Sequence, residues 1–236
     1  MARLHPDLED ALRQVSTATL STQLLRHGYK NTFLTGLEPL RPDLRMVGTA
    51  FTLRYVPTRA DVDNGSTFDN ATNPQRVAIE TIGPGDVLVI DARSDLRAGS
   101  LGNILATRAQ QRGAAGIVTD GALRDSPAFR ELDLPTYAGG AHAGLSSTIH
   151  HPVEYNVPIG CAGVLVLPGD VVVGDAEGVV VFPSSIVDEV ATASCEQEKQ
   201  EKFILGEIQS GASIHGVYPP NEELLVKYRR HQLRQV

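Results

Sequence analysis

Between Gly83 and Asp125 the chain reads strand, helix, strand, and no other stretch limits its fold as tightly. GPGD is a turn, VLVIDA an apolar strand, and Leu101 to Gln111 a short helix closed by Gly113. GIVTD is the next strand, and Ser126-Pro127 opens another helix with an N-cap residue followed by proline. Strands separated by helical segments belong to a parallel or mixed sheet, so the chain is an α/β protein.

The flanks extend this unit. Leu8, Leu12, Val15, Leu20, Leu24 and Leu25 have helical spacing over residues 7–27, with Gly28 as a stop. Met46 to Val56 is strand-like, and the polar residues 57–75 read as a loop, of a length that is usually either disordered or functional. From Val153 to Phe182 closely spaced strands follow: VEYNVPI, GVLVL, DVVVGD and GVVVF. GPGDVLVIDA at 83–92 is echoed by LPGDVVVGDA at 167–176, which we read as one kind of turn used twice rather than a duplication. Ser185 with Asp188 forms a weak capping box before a helix running to about Gln209, with Gly211 beyond it. Such a helix is roughly 37 Å long, more than one domain needs to cover its sheet, and its middle, CEQEKQEK, is polar. It is expected to pack on, or reach towards, another subunit. One domain over residues 1–236 accommodates all of this.

Charge narrows the function. A net charge of −7, with no basic run longer than Arg229-Arg230, argues against a nucleic-acid partner. No window approaches the roughly 20 apolar residues of a membrane span, and MARLHPDLEDALRQ lacks a secretory h-region. A cytoplasmic protein is expected, with Cys161 and Cys195 as reduced thiols.

Residues 99–125, GSLGNILATRAQQRGAAGIVTDGALRD, carry the chemistry. Gly102-Asn103 stands at a helix start, where free amides and the helix dipole favour a carboxylate. One strand later the chain turns through Arg124-Asp125, at the kind of strand end where α/β sheets bind ligands. Arg124 can present a planar fork to a carboxylate or keto oxygen. Asp125 is a hard oxygen donor suited to Mg²⁺ or Mn²⁺. Together they suggest a chelation site for a small 2-keto acid.

GNILA, GIVTDG, ALRD and PGDVVVGDAEGVVVFP resemble the class II pyruvate aldolases that cleave 4-hydroxy-4-methyl-2-oxoglutarate and 4-carboxy-4-hydroxy-2-oxoadipate. They are equally similar to the homologous regulator-of-ribonuclease-activity (RraA-like) family, over roughly residues 10–210. The resemblance implies a compact α/β/β sandwich of the swivelling-domain-like type, assembled as a homotrimer or hexamer with sites between subunits. It implies that Arg124 holds the keto oxygen and later its enolate, and that Asp125 binds Mg²⁺ or Mn²⁺. The amides at Gly102, Asn103, Ile104 and Leu105 would take the substrate carboxylate. Glu198, on a neighbouring subunit's C-terminal helix, would hydrogen-bond metal-bound water, with Glu201 the next match. The activity implied is 2-keto acid aldol cleavage or oxaloacetate decarboxylation through a pyruvate enolate. The alternatives are a non-catalytic ribonuclease regulator and a lyase or hydro-lyase on a sugar-derived 2-keto acid.

Asn103 departs from the family, which places an aspartate there to polarise a catalytic water. Asparagine can orient a water but cannot accept its proton. Asp91, Asp95 or Asp120 would have to substitute, or the reaction differs, and Asp61, Asp63 and Asp69 in the 57–75 loop could reshape the pocket. Arg93 and Arg97, after a strand end, are candidates for a second substrate carboxylate. Lys30, Lys199, Lys202 and Lys227 all have polar surroundings, which argues against a Schiff-base mechanism. His142, His150 and His151 fit no zinc spacing and read as loop histidines; GGAHAG reads as a flexible turn, and Ser146-Ser147 lacks a nucleophile elbow.

Overall fold

The computed structural model describes residues 3–63 and 69–233. Helices α1 (Pro6–Arg13) and α2 (Thr17–Arg26) replace the single helix expected over 7–27. Ser16 interrupts it: its backbone is extended and its hydroxyl accepts from the Thr19 amide at 3.1 Å, capping α2. Gly28, at φ +86°, stops α2 as expected. Short strands β1 (Phe33–Leu34) and β2 (Glu38–Pro39) precede the long β3 (Met46–Pro57). Helix α3 (Pro74–Thr81) then begins inside the stretch read as loop, with Asn73 as N-cap and Pro74 in the first turn.

The central run follows as β4 (Asp86–Asp91), β5 (Gly99–Leu101), α4 (Asn103–Gln111), β6 (Gly116–Leu123), α5 (Ser126–Phe129) and β7 (Thr136–Ala141). β5 takes Leu101, which the sequence places in the helix, and β7 takes the first half of GGAHAG. Next come β8 (His150–Tyr155), β9 (Ile159–Cys161), β10 (Val164–Val166), β11 (Val171–Asp175) and β12 (Gly178–Phe182). His150 and His151 therefore lie in a strand, not a loop, paired with Pro57 and Val56. Helices α6 (Val187–Gln209) and α7 (Glu222–Gln232) close the chain. No capping box forms at Ser185: α6 follows a 3₁₀ turn over Ser184–Ile186 and has no side-chain cap.

One mixed sheet runs β1-β12-β11-β3-β4-β6-β7-β2, with β5 added on β6 and β8 on β3. β3, β4, β6 and β7 are mutually parallel, and β11, β12, β1 and β2 attach antiparallel. Alternate residues of β4 serve opposite faces: Leu88 and Ile90 pack under Ile79, Ala106 and Phe129 of the helices, while Val87 and Val89 meet Ile159, Val164 and Val166 of the β9–β10 hairpin. Over β11 and β12, Val171, Val173 and Val180 pack with Leu12 and Leu20 of α1 and α2 and Val190 of α6. Helices, sheet and hairpin thus form the expected α/β/β sandwich.

The echoed motifs are one turn used twice. Gly85 and Gly169 have φ of +83° and +88°. The Asp86 carboxylate accepts from the Gly83 amide at 2.9 Å, and Asp170 from the Leu167 amide at 2.8 Å. The strands that follow flank β3 on its two sides, β4 parallel and β11 antiparallel. The polar middle of α6 is met by the chain's own α7: the Tyr228 hydroxyl donates to Glu196 at 3.0 Å, and the Phe203 and Tyr228 rings lie 5.4 Å apart. Both cysteines are free, and among the described residues no helix is long and apolar enough to cross a membrane.

Gly48 sits where β3 and the β4 turn approach most closely. A methyl group there would lie 2.4 Å from the Gly85 carbonyl oxygen and 2.9 Å from a Val87 methyl. Because a backbone oxygen cannot rotate away, Gly48→Ala is expected to destabilise the fold by about 1–3 kcal/mol, read as a lower urea midpoint at unchanged m-value.

Candidate active site

β6 is buried over its whole length and delivers Arg124 and Asp125 at its carboxyl end. There the chain turns sharply: Asp125 is left-handed (φ 63°, ψ 35°), a conformation that costs most residues energy but suits aspartate, asparagine and glycine. The turn rests on β5. The Arg124 amide donates to the Leu101 carbonyl at 2.9 Å. A methyl group on Gly99 would come within 2.7 Å of the Arg124 Cβ, and one on Gly102 within 3.4 Å of an Asp125 carboxylate oxygen. Two glycines on the β5 segment therefore let both candidate side chains lie against it. The Arg124 Nε and an Asp125 oxygen are 3.8 Å apart, and both side chains remain nearly half exposed.

Gly102 caps α4 with no side-chain acceptor, so helix geometry leaves the amides of Asn103, Ile104 and Leu105 without intrahelical partners. These residues line one cleft together with Arg124 and Asp125, of about 240 Å³. That is below the roughly 300–1,000 Å³ of sites for drug-sized ligands, and suits a small acid. Among the described residues the Asn103 side chain has no hydrogen-bond partner within the chain. The cleft also contains Gln75, Arg76, Gly99, Leu101, Leu145 and Ser146, which the sequence reading did not assign to it.

A buried polar network stands behind the cleft. Gln75 donates to the Tyr55 hydroxyl at 2.6 Å and to the Ser100 carbonyl at 3.0 Å, and Tyr55 donates to the same carbonyl at 2.9 Å. The Ser100 hydroxyl bonds to the Ala122 carbonyl and to Thr119 across β5 and β6. Burial raises the Tyr55 phenol well above its ordinary range, so it stays protonated as a donor. Beside it, His150 is buried: Arg93 donates to its Nδ1 at 3.2 Å and its Nε2 donates to the Ala98 carbonyl at 3.3 Å, the pattern of a neutral imidazole.

The carboxylates considered as stand-ins for the missing aspartate are committed elsewhere. Asp120 accepts from the Ala92 and Ser94 amides and the Ser94 hydroxyl. Asp91 caps the Arg93 amide, with burial raising its carboxyl. Asp95 holds Arg97 in a two-pronged pair that drives its carboxyl far down. None of the three lines the cleft, and neither do Arg93 and Arg97. Asp61 pairs with Arg59, Asp63 with His151 and Thr58, and Asp69 caps the turn before α3. The rest of that loop, residues 64–68, lies outside the described residues. His142 accepts from the Gly144 amide.

Glu198 is not in the cleft of its own chain. It accepts from the Ser16 amide at 2.9 Å and the Ser16 hydroxyl at 2.7 Å, tying α6 to the start of α2. Burial pushes its carboxyl up, but these bonds outweigh that and hold it below its ordinary value. Glu201 accepts from Gln197.

For a metal, Asp125 is the cleft's one carboxylate, and among the described residues no group of three or more His, Cys, Asp or Glu side chains could hold an ion. That donor set does not suit zinc, which takes three or four protein ligands. It does suit Mg²⁺ or Mn²⁺, which bind through one or two carboxylates and retain waters. The small surface of Gly102 beside the Asp125 carboxylate leaves room for such a shell.

Residues 10–181 match the RraA-like family model, described as Aldolase/RraA, and the chain belongs to that family. A relative from Halalkalibacterium halodurans, named "Putative 4-hydroxy-4-methyl-2-oxoglutarate aldolase", is 31% identical over 208 residues, covering 86% of this chain and 91% of that protein. The crystal structure of Streptomyces coelicolor RraAS2, described as an unusual member of the RNase ES inhibitor RraA protein family, superposes with a TM-score of 0.77 at 34% identity. It covers 86% of this chain and 98% of that one. The RNA-processing inhibitor RraA from Thermus thermophilis follows at a TM-score of 0.56 and 29% identity, over 70% of this chain and 92% of its own.

Burial lowers the affinity of His150 for a proton below that of an ordinary imidazole, near 6.5. Above that pH the residue is neutral folded or unfolded and contributes nothing to the pH dependence. Below it the unfolded chain binds a proton the folded chain refuses, so stability falls. Wild-type unfolding free energy should therefore drop more steeply than that of His150→Gln between about pH 6.5 and pH 5, by up to about 1.4 kcal/mol per pH unit.

Proposed function

We propose that this chain is a divalent-metal-dependent carbon–carbon lyase that acts on small 2-keto acids and releases pyruvate through its enolate. The observation that carries the reading is the sharing of one small cleft by Arg124, Asp125 and the uncapped start of α4. The name of the Halalkalibacterium halodurans relative supports a 4-hydroxy-4-methyl-2-oxoglutarate-type substrate.

The residues divide the work as follows. The amides of Asn103, Ile104 and Leu105 receive the C1 carboxylate at the positive end of α4. Arg124 donates to the C2 keto oxygen, where negative charge accumulates as the C3–C4 bond breaks, so its bond is strongest in the transition state. Asp125 would hold the divalent ion, and the chemistry that ion would supply when bound is Lewis-acid polarisation. In retro-aldol cleavage the 4-hydroxyl proton must leave, its O–H electrons form the new carbonyl, and the C3–C4 pair becomes the enolate double bond. Oxaloacetate decarboxylation reaches the same enolate by losing CO₂ and needs no base for that step. Asn103 can hold a water but cannot take the proton, so decarboxylation makes the smaller demand on this cleft. In a homo-oligomer, trimer or hexamer, we assign the missing acceptor to Glu198 on α6 of a neighbouring copy, released from its bonds to Ser16.

The similarity to RraAS2 supports a second reading, a regulator that binds a ribonuclease. Such a role needs the surface and not the cleft.

The test is pyruvate release from oxaloacetate and from 4-hydroxy-4-methyl-2-oxoglutarate with Mg²⁺ or Mn²⁺, corrected for decarboxylation by the free metal. Asp125→Ala is expected to fall to the level seen with EDTA, and Arg124→Met to lose about two to three orders of magnitude in kcat/KM. No release above background from either acid would reject the lyase and leave the regulator. Asn103→Asp restores a carboxylate, and is expected to raise the ratio of aldol cleavage to decarboxylation by about 10²-fold.

A further inference from the structure

Helices α6 and α7 lie outside the residues 10–181 that the family model matches, and they enclose a groove that shares no residue with the cleft. Its volume is about 800 Å³, within the range of sites for small organic ligands. Lys199, Lys202 and Phe203 line it from one face of α6, at i, i+3 and i+4, with Gly206 and Glu207 one turn further along. Lys227, Tyr228 and Arg230 line it from α7. The ring of Phe203, packed on those of Tyr228 and His231 at 5.4 and 5.1 Å, gives the groove an apolar surface between its charges.

This groove is positive in an acidic chain. Four cations line it, Lys199, Lys202, Lys227 and Arg230, against one carboxylate, Glu207. Lys227 takes Glu207, while Lys199, Lys202 and Arg230 make no hydrogen bond or ion pair among the described residues. Glu196, beside the groove, accepts from the Tyr228 hydroxyl and from Gln232 instead. Like charges gathered in one groove repel, and a bound anion removes that repulsion. Gly206 keeps the groove open. It stands inside α6, where glycine weakens a helix relative to alanine, and its φ is not positive. Packing does not require it either: a methyl group there would meet no neighbouring atom within 4 Å. A ligand in the groove supplies the reason that packing does not.

We propose that the groove between α6 and α7 binds a small molecule that carries a chain of phosphates. Lysine ammonium groups and an arginine fork are suited to phosphate oxygens, and three unpaired cations balance a di- or triphosphate better than a single carboxylate. The net charge of −7 on the whole chain repels a long polyanion, which restricts the ligand to a small one. This site is independent of the lyase reading, since no residue of the cleft takes part in it.

The experiment is calorimetric titration of the full chain, at fixed ionic strength, with sodium tripolyphosphate and with ATP. Wild type is expected to show saturable binding that weakens as sodium chloride is raised. Lys202→Gln combined with Arg230→Gln should weaken it about 10- to 100-fold. Gly206→Leu should weaken it as much while its urea midpoint stays at or above that of wild type, whereas a structural defect would lower both. Asp125→Ala should bind as wild type does. Tighter binding of ATP than of tripolyphosphate identifies a nucleotide-like ligand whose ring uses the Phe203 surface; equal or weaker binding of ATP means that the phosphates alone are read. No saturable binding of either probe, or binding that survives in either groove variant, overturns the proposal. Binding that Asp125→Ala removes also overturns it, because the anion then sits in the cleft.

Discussion

The pairing of β5 with the end of β6 sets the geometry of everything in the cleft. β5 has three residues, too few to hold a position by ladder bonds alone, and it is kept in place by buried polar groups. Ser100 is the centre of these: its hydroxyl reaches Thr119 and Ala122, and its carbonyl receives both Tyr55 and Gln75. A half-satisfied network of this kind would be worse than an apolar core, but each of these groups has its partner. From β5 the chain passes directly into Gly102 and α4, so one short strand fixes both the uncapped helix start and the turn bearing Arg124 and Asp125.

Where the sequence announced the structure, it did so through periodicity and glycine placement. The strand–helix–strand unit was legible because apolar runs are bounded by Gly85, Gly113 and Gly116, each required by a turn or a close approach. The break at Ser16 was not legible, because Leu12, Val15, Leu20 and Leu24 all enter one core and keep their spacing across it. α7 escaped notice for the opposite reason: only Leu224 and Tyr228 of it are buried, among charged residues. Arg124 and Asp125 could be located because they end a buried strand. Arg76 could not, since it follows a polar run whose only structural signal is Asn73-Pro74, and its place in the cleft depends on tertiary contacts of Gln75.

Charges around the cleft are sorted more strictly than composition suggests. The chain is acidic overall, and carboxylates at this end of the sheet are bound to arginines, histidine or backbone amides. The lining of the cleft includes one carboxylate, Asp125, and two guanidinium groups, Arg76 and Arg124, a local excess of positive charge that favours an anionic ligand. Acidity of the whole molecule and affinity for anions at one place are compatible because the acids are spent locally on folding.

The left-handed turn at Asp125 has a consequence for how such a protein can change over generations. Its backbone demands a residue that tolerates positive φ, and the residues that do so best are aspartate, asparagine and glycine. Replacement by either of the other two would erase the cleft's carboxylate while preserving the turn. Any role of that carboxylate would thus be discarded in a single step while the turn is kept. A scaffold with that property keeps its surface whether or not the carboxylate is kept, which gives a physical route by which relatives named as aldolases and relatives named as inhibitors of RNA processing share one architecture.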